Sequence, residues 1–142
     1  MLSQIQPHFL YNTLTAIRTL IKRKPDEAYT LVGYFSKYLR TNLNSINKKD
    51  LILFTEELNH IKTYVYIELV RFSHRFEVVY DIDVEDFLVP PLSIQPIVEN
   101  AIKHGVCKII EGGIVTIRTR AINNTIIVEI IDNGIGFNYN EY

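Results

Sequence analysis

The chain has 142 residues, 47% of them apolar and 22% charged, which is enough for one domain or two small ones with a hydrophobic core. Because 15 basic residues nearly balance 16 acidic ones, no overall charge favours nucleic acid or an anionic membrane as a partner. The single cysteine, Cys107, excludes a disulfide within the chain and a multi-cysteine zinc site.

The first 50 residues are predicted to form two amphipathic helices. Over residues 1–23, apolar side chains at helical spacing define one predicted buried face, made of Leu10, Leu14, Ile17 and Ile21. Pro25 ends this helix, and a second one is predicted over residues 26–43 with Asp26 as its N-cap. The second helix has an apolar stripe of Leu31, Val32, Phe35, Tyr38, Leu39 and Leu43. Because both apolar arcs are wide, the hairpin is expected to need a partner pair of helices.

The polar segment 44–50 is the predicted boundary, and helix and strand patterns alternate beyond it. A third helix is predicted to begin at Thr55, with an apolar stripe of Leu58, Ile61, Val65, Leu69 and Phe72. Residues 76–83 predict a strand, and residues 92–104 predict a helix that Gly105 closes in a left-handed conformation. Residues 114–121 and 125–131 predict a hairpin through Asn123 and Asn124.

His8 lies on a polar stripe of the first helix, together with Asn12, Thr15 and Thr19. The simplest interpretation is a histidine on a solvated helix face. Pro7 weakens that interpretation, because proline removes a helical hydrogen bond and can kink the helix beside the imidazole. A neutral imidazole is also a nucleophile near neutral pH, so a chemical role stays open.

A second candidate set lies on the predicted helix over residues 92–104. Asn100, Lys103 and His104 share one face of it. A carboxamide oxygen suits a hard cation and cationic groups suit phosphate oxygens, as a magnesium nucleotide requires. On spacing alone, a solvated polar face is the simpler interpretation, and pairing with Lys103 is sufficient to explain Glu99.

A third candidate set follows the last predicted strand. Gly134 and Gly136 permit a tight turn in which the backbone approaches a ligand, and Asp132 can accept a hydrogen bond from an exocyclic amine. An ordinary turn explains the same pattern. The chain contains no serine-nucleophile motif and no phosphate-binding loop, and its four histidines are not at metal-ligand spacing.

In this order, these segments resemble the motifs of the sensor histidine kinases of two-component systems, in their LytS-like subfamily. The sequence Gln-Pro-His-Phe-Leu-Tyr-Asn around His8 resembles the phosphoacceptor box, and residues 92–105 resemble the N box. Asp-Asn-Gly-Ile-Gly from Asp132 resembles the G1 box of the Bergerat (GHKL) ATP-binding fold, and residues 54–72 resemble the connecting helix.

The resemblance implies that His8 takes the γ-phosphoryl group of ATP and passes it to an aspartate on a response regulator. It implies a nucleotide site of Asn100 for Mg²⁺, Lys103 and His104 for the phosphates, Asp132 for the adenine amino group, and Gly134 and Gly136 for the shape of the pocket. By analogy, Asn12 is a candidate to position a water that dephosphorylates the regulator.

The resemblance also implies an α+β fold and its partners. Residues 1–50 would be a helical hairpin, half of a dimeric four-helix bundle, and residues 51–142 a Bergerat-type α/β sandwich, incomplete at its C-terminus. The implied partners are a second copy and a receiver domain, with no nucleic acid. Membrane attachment would come only through segments outside this chain. The chain itself would lie in the cytoplasm of a bacterium. Because the ATP lid would follow residue 137, this chain alone is expected to bind ATP poorly and to be inactive.

Two departures bear on the mechanism. Phe9 follows His8 where commoner kinase classes have an acidic residue, so a general base must come from elsewhere. Pro96 lies where hydrolytic GHKL ATPases have a carboxylate, which favours transfer to His8 over hydrolysis. Two alternatives stay open: a degenerate module that only dimerises or docks a regulator, and a GHKL-type ATPase or anti-sigma-like kinase without a phosphoacceptor.

Overall fold

The computed structural model describes residues 5–106 and 112–134, which form a mixed helical and sheet structure. The helices are α1 (Pro7–Arg23), α2 (Pro25–Ile46), α3 (Phe54–Arg71) and α4 (Gln95–Asn100), and α4 continues as a π-helical turn over Ala101–Gly105. The strands are β1 (Ile52–Leu53), β2 (Glu77–Ile82), β3 (Leu88–Val89), β4 (Ile114–Ile122) and β5 (Thr125–Asp132). The α+β class and the N-terminal helical hairpin are confirmed, whereas the Bergerat-type sandwich stays a prediction.

The strands form two small sheets. β1 pairs antiparallel with β3, placing Ile52 opposite Val89. The second sheet has the order β2-β4-β5, with β2 parallel to β4 and β4 antiparallel to β5. Between β4 and β5, Asn123 and Asn124 have φ angles of 49° and 63°. Both lie in the left-handed region that a type I′ turn requires, which confirms the predicted hairpin.

Helix α3 lies at the centre of the hydrophobic core and is buried on nearly all sides. Its predicted stripe is confirmed by Leu58 and Ile61, which are buried. A second buried face of α3 contacts α1, where the rings of Tyr64 and Phe9 have centroids 5.4 Å apart. The three long helices therefore share one core, and the domain division at residue 50 stays a prediction.

The buried face of α1 differs from the predicted one. Phe9, Thr13 and Ile17 are buried, whereas Leu14 and Ile21 are 53% and 57% exposed. The apolar residues of α1 cover more than half of the helix circumference, so their spacing permits two different buried faces. Packing of Phe9 against α3 selects one of them.

Helix α2 shows the same division. It buries the predicted Leu31, Phe35 and Tyr38 but leaves Val32 and Leu43 exposed. Each helix of the hairpin therefore keeps an apolar strip that the described part of the chain does not cover.

Three predicted helix ends are wrong. Pro25 is the first residue of α2, because its fixed φ suits that position, so Asp26 lies in the first turn and Lys24 is the N-cap. Helix α3 begins at Phe54, so Thr55 does not cap it. Gly105 does not take a left-handed conformation, since the chain continues in the helical region at the next residue.

The buried carboxylate of Glu57 connects α3 to the start of α4. It is 1% exposed and accepts the backbone N–H groups of Leu92 and Ile94 at 3.0 Å and of Gln95 at 3.2 Å. No side chain at the N-cap of α4 satisfies these donors. Glu57 therefore holds the first turn of the helix that carries Asn100.

We expect Glu57→Ala to lower the free energy of unfolding by about 2–3 kcal/mol, because buried N–H donors lose a charged acceptor. Urea unfolding followed by far-UV circular dichroism measures the loss. Glu56→Ala is the matched control, since Glu56 is the exposed neighbour at the same helix end. Its effect should stay within about 1 kcal/mol. Equal losses in the two variants would contradict the role of Glu57.

Candidate functional site

A cleft between α1, α3 and α4 with its π-helical turn brings several of the predicted site residues together. His8 and Asn12 line it from α1, and Asn100 and Lys103 line it from α4 and its π-helical turn. The ammonium group of Lys103 donates a hydrogen bond to Oε1 of Gln6, just before α1 begins. The fold of a single chain thus places the imidazole, the carboxamide and the ammonium group along one cleft.

The position of His8 follows from its two neighbours. Pro7 opens α1, where its missing N–H costs no hydrogen bond, so the kink expected from proline is absent at this helix start. Phe9 is buried among aromatic rings of α2 and α3. Since successive helical residues are about 100° apart, burial of Phe9 turns His8 toward solvent at the cleft.

A second cluster lies at the end of the π-helical turn that follows α4. Oδ1 of Asp132 accepts the backbone N–H of Gly134 at 2.9 Å. A Cβ atom on Gly105 would lie 2.9 Å from that oxygen, and one on Gly134 would lie 2.5 Å from the Cα of Gly105. The backbone of Gly105 therefore leaves no room for a Cβ atom at Gly134, whereas a Cβ atom at Gly105 would require the side chain of Asp132 to shift. Gly136, the remaining predicted member, lies outside the described residues.

The predicted common face of Asn100, Lys103 and His104 is only partly present at the cleft. All three side chains are exposed, but His104 is not among the residues that line the cleft. The π-helical turn over Ala101–Gly105 changes the offset between successive faces, which the sequence spacing did not anticipate. A phosphate contact by His104 stays a prediction.

Sequence reasoning missed the inner wall of the cleft. The missed residues are Tyr38, Tyr64, Glu68, Arg71 and Glu99. The charge of Lys103 lowers the pKa of Glu99, as the pairing of the two residues implies, but the direct contacts of Glu99 are hydrogen bonds that it accepts from Gln95 at 2.7 Å and from Tyr38 at 3.3 Å. One usable signal was present, since Glu68 and Arg71 have the i,i+3 spacing of a helical ion pair.

Burial changes the acidity of the two carboxyl groups in this wall. Burial raises the pKa of Glu68 to about 7, against the lowering effect of Arg71, which binds it at 3.0 Å. Burial also raises the pKa of Glu99, against the lowering effect of hydrogen bonds from Gln95 and Tyr38. Both carboxyl groups therefore hold a proton more readily than solvated ones do.

The donor set of the cleft limits how a metal could bind. Within residues 5–106 and 112–134, no cluster of three or more His, Cys, Asp or Glu side chains is arranged to hold a metal ion. A Mg²⁺ site here would therefore depend on Asn100 and on the phosphates of a substrate, a mode of binding that this ion commonly uses. In the same part of the chain, the helices are too short or too polar to span a membrane.

Comparison with known proteins gives one family. A family model described as histidine kinase matches residues 1–76. The chain is 42% identical over 136 residues to the uncharacterized protein YwpD of Bacillus subtilis (strain 168), covering 94% of this chain and 49% of that protein. It is also 42% identical over 135 residues to the sensor histidine kinase YpdA of Escherichia coli (strain K12), covering 94% of this chain and 24% of that protein. It is 34% identical over 139 residues to the sensor protein LytS of Oceanobacillus iheyensis, covering 95% of this chain and 23% of that protein. The chain spans about half of the first relative and about a quarter of the others.

Proposed function

The chain belongs to the histidine kinase family, in its LytS-like group, and we propose that it autophosphorylates on His8 as part of a longer two-component sensor kinase. One observation carries the proposal: His8, Asn100 and Lys103 of a single chain line one cleft. A nucleophile thereby shares a cleft with the two groups best suited to hold a magnesium nucleotide by its phosphates.

In the proposed reaction, His8 attacks the γ-phosphorus of ATP with its unprotonated ring nitrogen. A nitrogen–phosphorus bond forms, the bond from phosphorus to the bridging oxygen breaks, and ADP leaves with that electron pair. Transfer of this kind needs mainly positioning and neutralisation of charge. Lys103 supplies a cation for the phosphate oxygens, and its hydrogen bond to Gln6 keeps it at the start of α1. Asn100 would hold Mg²⁺, which supplies further neutralising charge when bound.

The second cluster suits the adenine end of the nucleotide. Gly105 and Asn100 are five residues apart on one helix, so the two clusters are roughly 7 Å apart along its axis. Among the described residues, Oδ2 of Asp132 has no hydrogen-bond partner and is available to an amino group. Gly134, and by proposal Gly136 and His104, would complete the site around the nucleotide.

The exposed surface of the hairpin suits the partners that this family uses in general, a second copy and a response regulator. The uncovered apolar strips of α1 and α2 include Leu14, Ile21, Val32 and Leu43, which a second hairpin would cover in a four-helix bundle. His8 is exposed, so its phosphoryl group would be accessible to a receiver aspartate. Asn12 lies one turn further along α1 and would position a water that dephosphorylates the regulator.

The test uses the full-length protein and ATP labelled in the γ-phosphoryl group. We expect His8→Gln to reduce the incorporated label to background, because it removes the nucleophile. His74→Asn is the matched control, since His74 is exposed, has a φ of 56° that asparagine tolerates, and lies outside the cleft. Its labelling should match the native protein. Label that is acid-labile and base-stable identifies phosphohistidine.

Two results would contradict the proposal. Label that survives His8→Gln would exclude His8 as the phosphoacceptor and favour a GHKL-type kinase that acts on another protein. Absence of label from a native protein that binds Mg-ATP would favour a docking module that does not catalyse transfer.

A further inference from the structure

We propose that Arg71 binds the transferred phosphoryl group and stabilises it as it moves to His8. Arg71 is the last residue of α3, in the segment that resembles the connecting helix, and neither the motifs nor the resemblance assigned it a role. The inference rests on the proposed function of His8, and it adds a residue from the helix between the phosphoacceptor and nucleotide segments.

The first observation is the location of Arg71. It lines the same cleft as His8, Asn100 and Lys103, and it does so from a different helix, α3. In phosphoryl transfer the negative charge of the moving group is spread over its three equatorial oxygens. A guanidinium on α3 would add a second cationic donor for those oxygens, from a helix other than the one that leads to Lys103.

The second observation is how firmly the guanidinium is held. Nη1 of Arg71 donates to Oε1 of Glu68 at 3.0 Å, and the guanidinium carbon lies 4.4 Å from the ring centroid of Phe72. Glu68 is itself fixed by burial, with a side chain 3% exposed, and by Tyr64, whose hydroxyl donates to it at 3.4 Å. A side chain anchored on two sides loses little further freedom when it binds a ligand.

The third observation is that binding capacity remains. The side chain of Arg71 is 22% exposed, so its head is accessible from the cleft. A guanidinium has several N–H donors, and within residues 5–106 and 112–134 the structure engages only the one on Nη1 that reaches Glu68. The remaining donors match the geometry of phosphate oxygens. Neutralising the buried Glu68 explains one hydrogen bond of Arg71 but does not explain why the pair forms a wall of the cleft.

The step conserves atoms and charge, and no covalent bond to Arg71 forms or breaks. His8 gains the nitrogen–phosphorus bond, ADP departs with the electrons of the broken phosphorus–oxygen bond, and the ring proton stays on the other nitrogen of the imidazole. Arg71 donates N–H groups to the phosphoryl oxygens throughout and keeps its own protons.

The experiment measures single-turnover formation of phosphohistidine in the full-length protein, with Mg-ATP binding measured separately. We expect Arg71→Gln to slow transfer on the order of 100-fold, because one preorganised charged donor is lost from the transition state. The affinity for Mg-ATP should change far less. Arg71→Lys keeps the charge but not the planar fork, and should recover only part of the rate. Arg40→Gln, an exposed arginine on α2, is the control and should keep the native rate.

A double variant separates binding from mere charge balance. If Arg71 only neutralises Glu68, then Glu68→Gln combined with Arg71→Gln removes both charges and should restore the native rate. We expect the double variant to remain as slow as Arg71→Gln. A native rate in the double variant or in Arg71→Lys, with His8→Gln inactive, would overturn the role of Arg71 and leave the proposed function intact. Label that survives His8→Gln would instead overturn the proposed function.

Discussion

A mixed dimer that pairs a His8→Gln protomer with an Asn100→Asp protomer should take up no phosphoryl label from ATP. The reason is geometric, since His8 and Asn100 of one chain line the same cleft. Transfer is therefore expected within a protomer, and neither protomer of this mixed dimer retains both residues. Two different affinity tags allow the mixed dimer of the full-length protein to be purified before labelling.

A second mixed dimer, in which both substitutions are in one protomer, tests whether transfer occurs within a protomer and should be labelled. A native protomer paired with a His8→Gln, Asn100→Asp double variant keeps one complete cleft, and we expect it to incorporate about half the label of the native dimer. Transfer between protomers would exchange the two results: label in the first mixed dimer and none in the second. That exchange would show that the cleft seen within one chain is not the one used for transfer.

Phe9→Ala should lower the free energy of unfolding by about 3–5 kcal/mol, the range found when a buried aromatic side chain is truncated. Phe9 is 8% exposed, and its ring centroid lies 5.0 Å from that of Tyr38 and 5.4 Å from that of Tyr64. It therefore joins α1 to α2 and α3 at the residue next to His8. Its removal should also slow phosphorylation of His8 at temperatures where the variant is still folded, because the phosphoacceptor loses its anchor.

Thermal and urea unfolding measure the stability change, and γ-labelled ATP measures the activity. Tyr11→Ala provides the comparison, since Tyr11 is an aromatic residue of the same helix that is 69% exposed. We expect its unfolding free energy to fall by less than about 1 kcal/mol. A similar loss in both variants would mean that Phe9 is no more important to the core than a surface ring.

The burial of Phe9 explains why no acidic residue follows His8. Commoner histidine kinase classes have an acidic residue after the phosphoacceptor, whereas Phe9 follows His8, the proposed phosphoacceptor of this chain. In the structure that position points into the core, where a carboxylate would be costly. Acidic groups reach the cleft instead from elsewhere, as Glu68 from α3 and Glu99 from α4. No local pattern around His8 could reveal them, because they are about 60 and 90 residues distant in sequence.

Local structure could be predicted from the sequence where one short segment is sufficient to define it. The turn at Asn123 and Asn124 follows from residues that tolerate a positive φ, and the stripe on α3 follows from helical periodicity. The roles of Asn100, Asp132 and the other site residues remain proposals that rest on motif order. Helix ends were predicted less well, because Pro25 competed with Asp26 for the start of α2.

The sequence by itself determined the family, the α+β class and a set of candidate residues, since each depends on local patterns and their order along the chain. Only the tertiary structure decided which face of α1 is buried, because its apolar arc is wide enough to allow two choices and the contact with α3 selects one. It also decided that Glu57 holds the start of α4 and that Arg71 joins the cleft of His8. Those contacts join segments more than 30 residues apart, and helical periodicity records which residues share a face but not which faces meet.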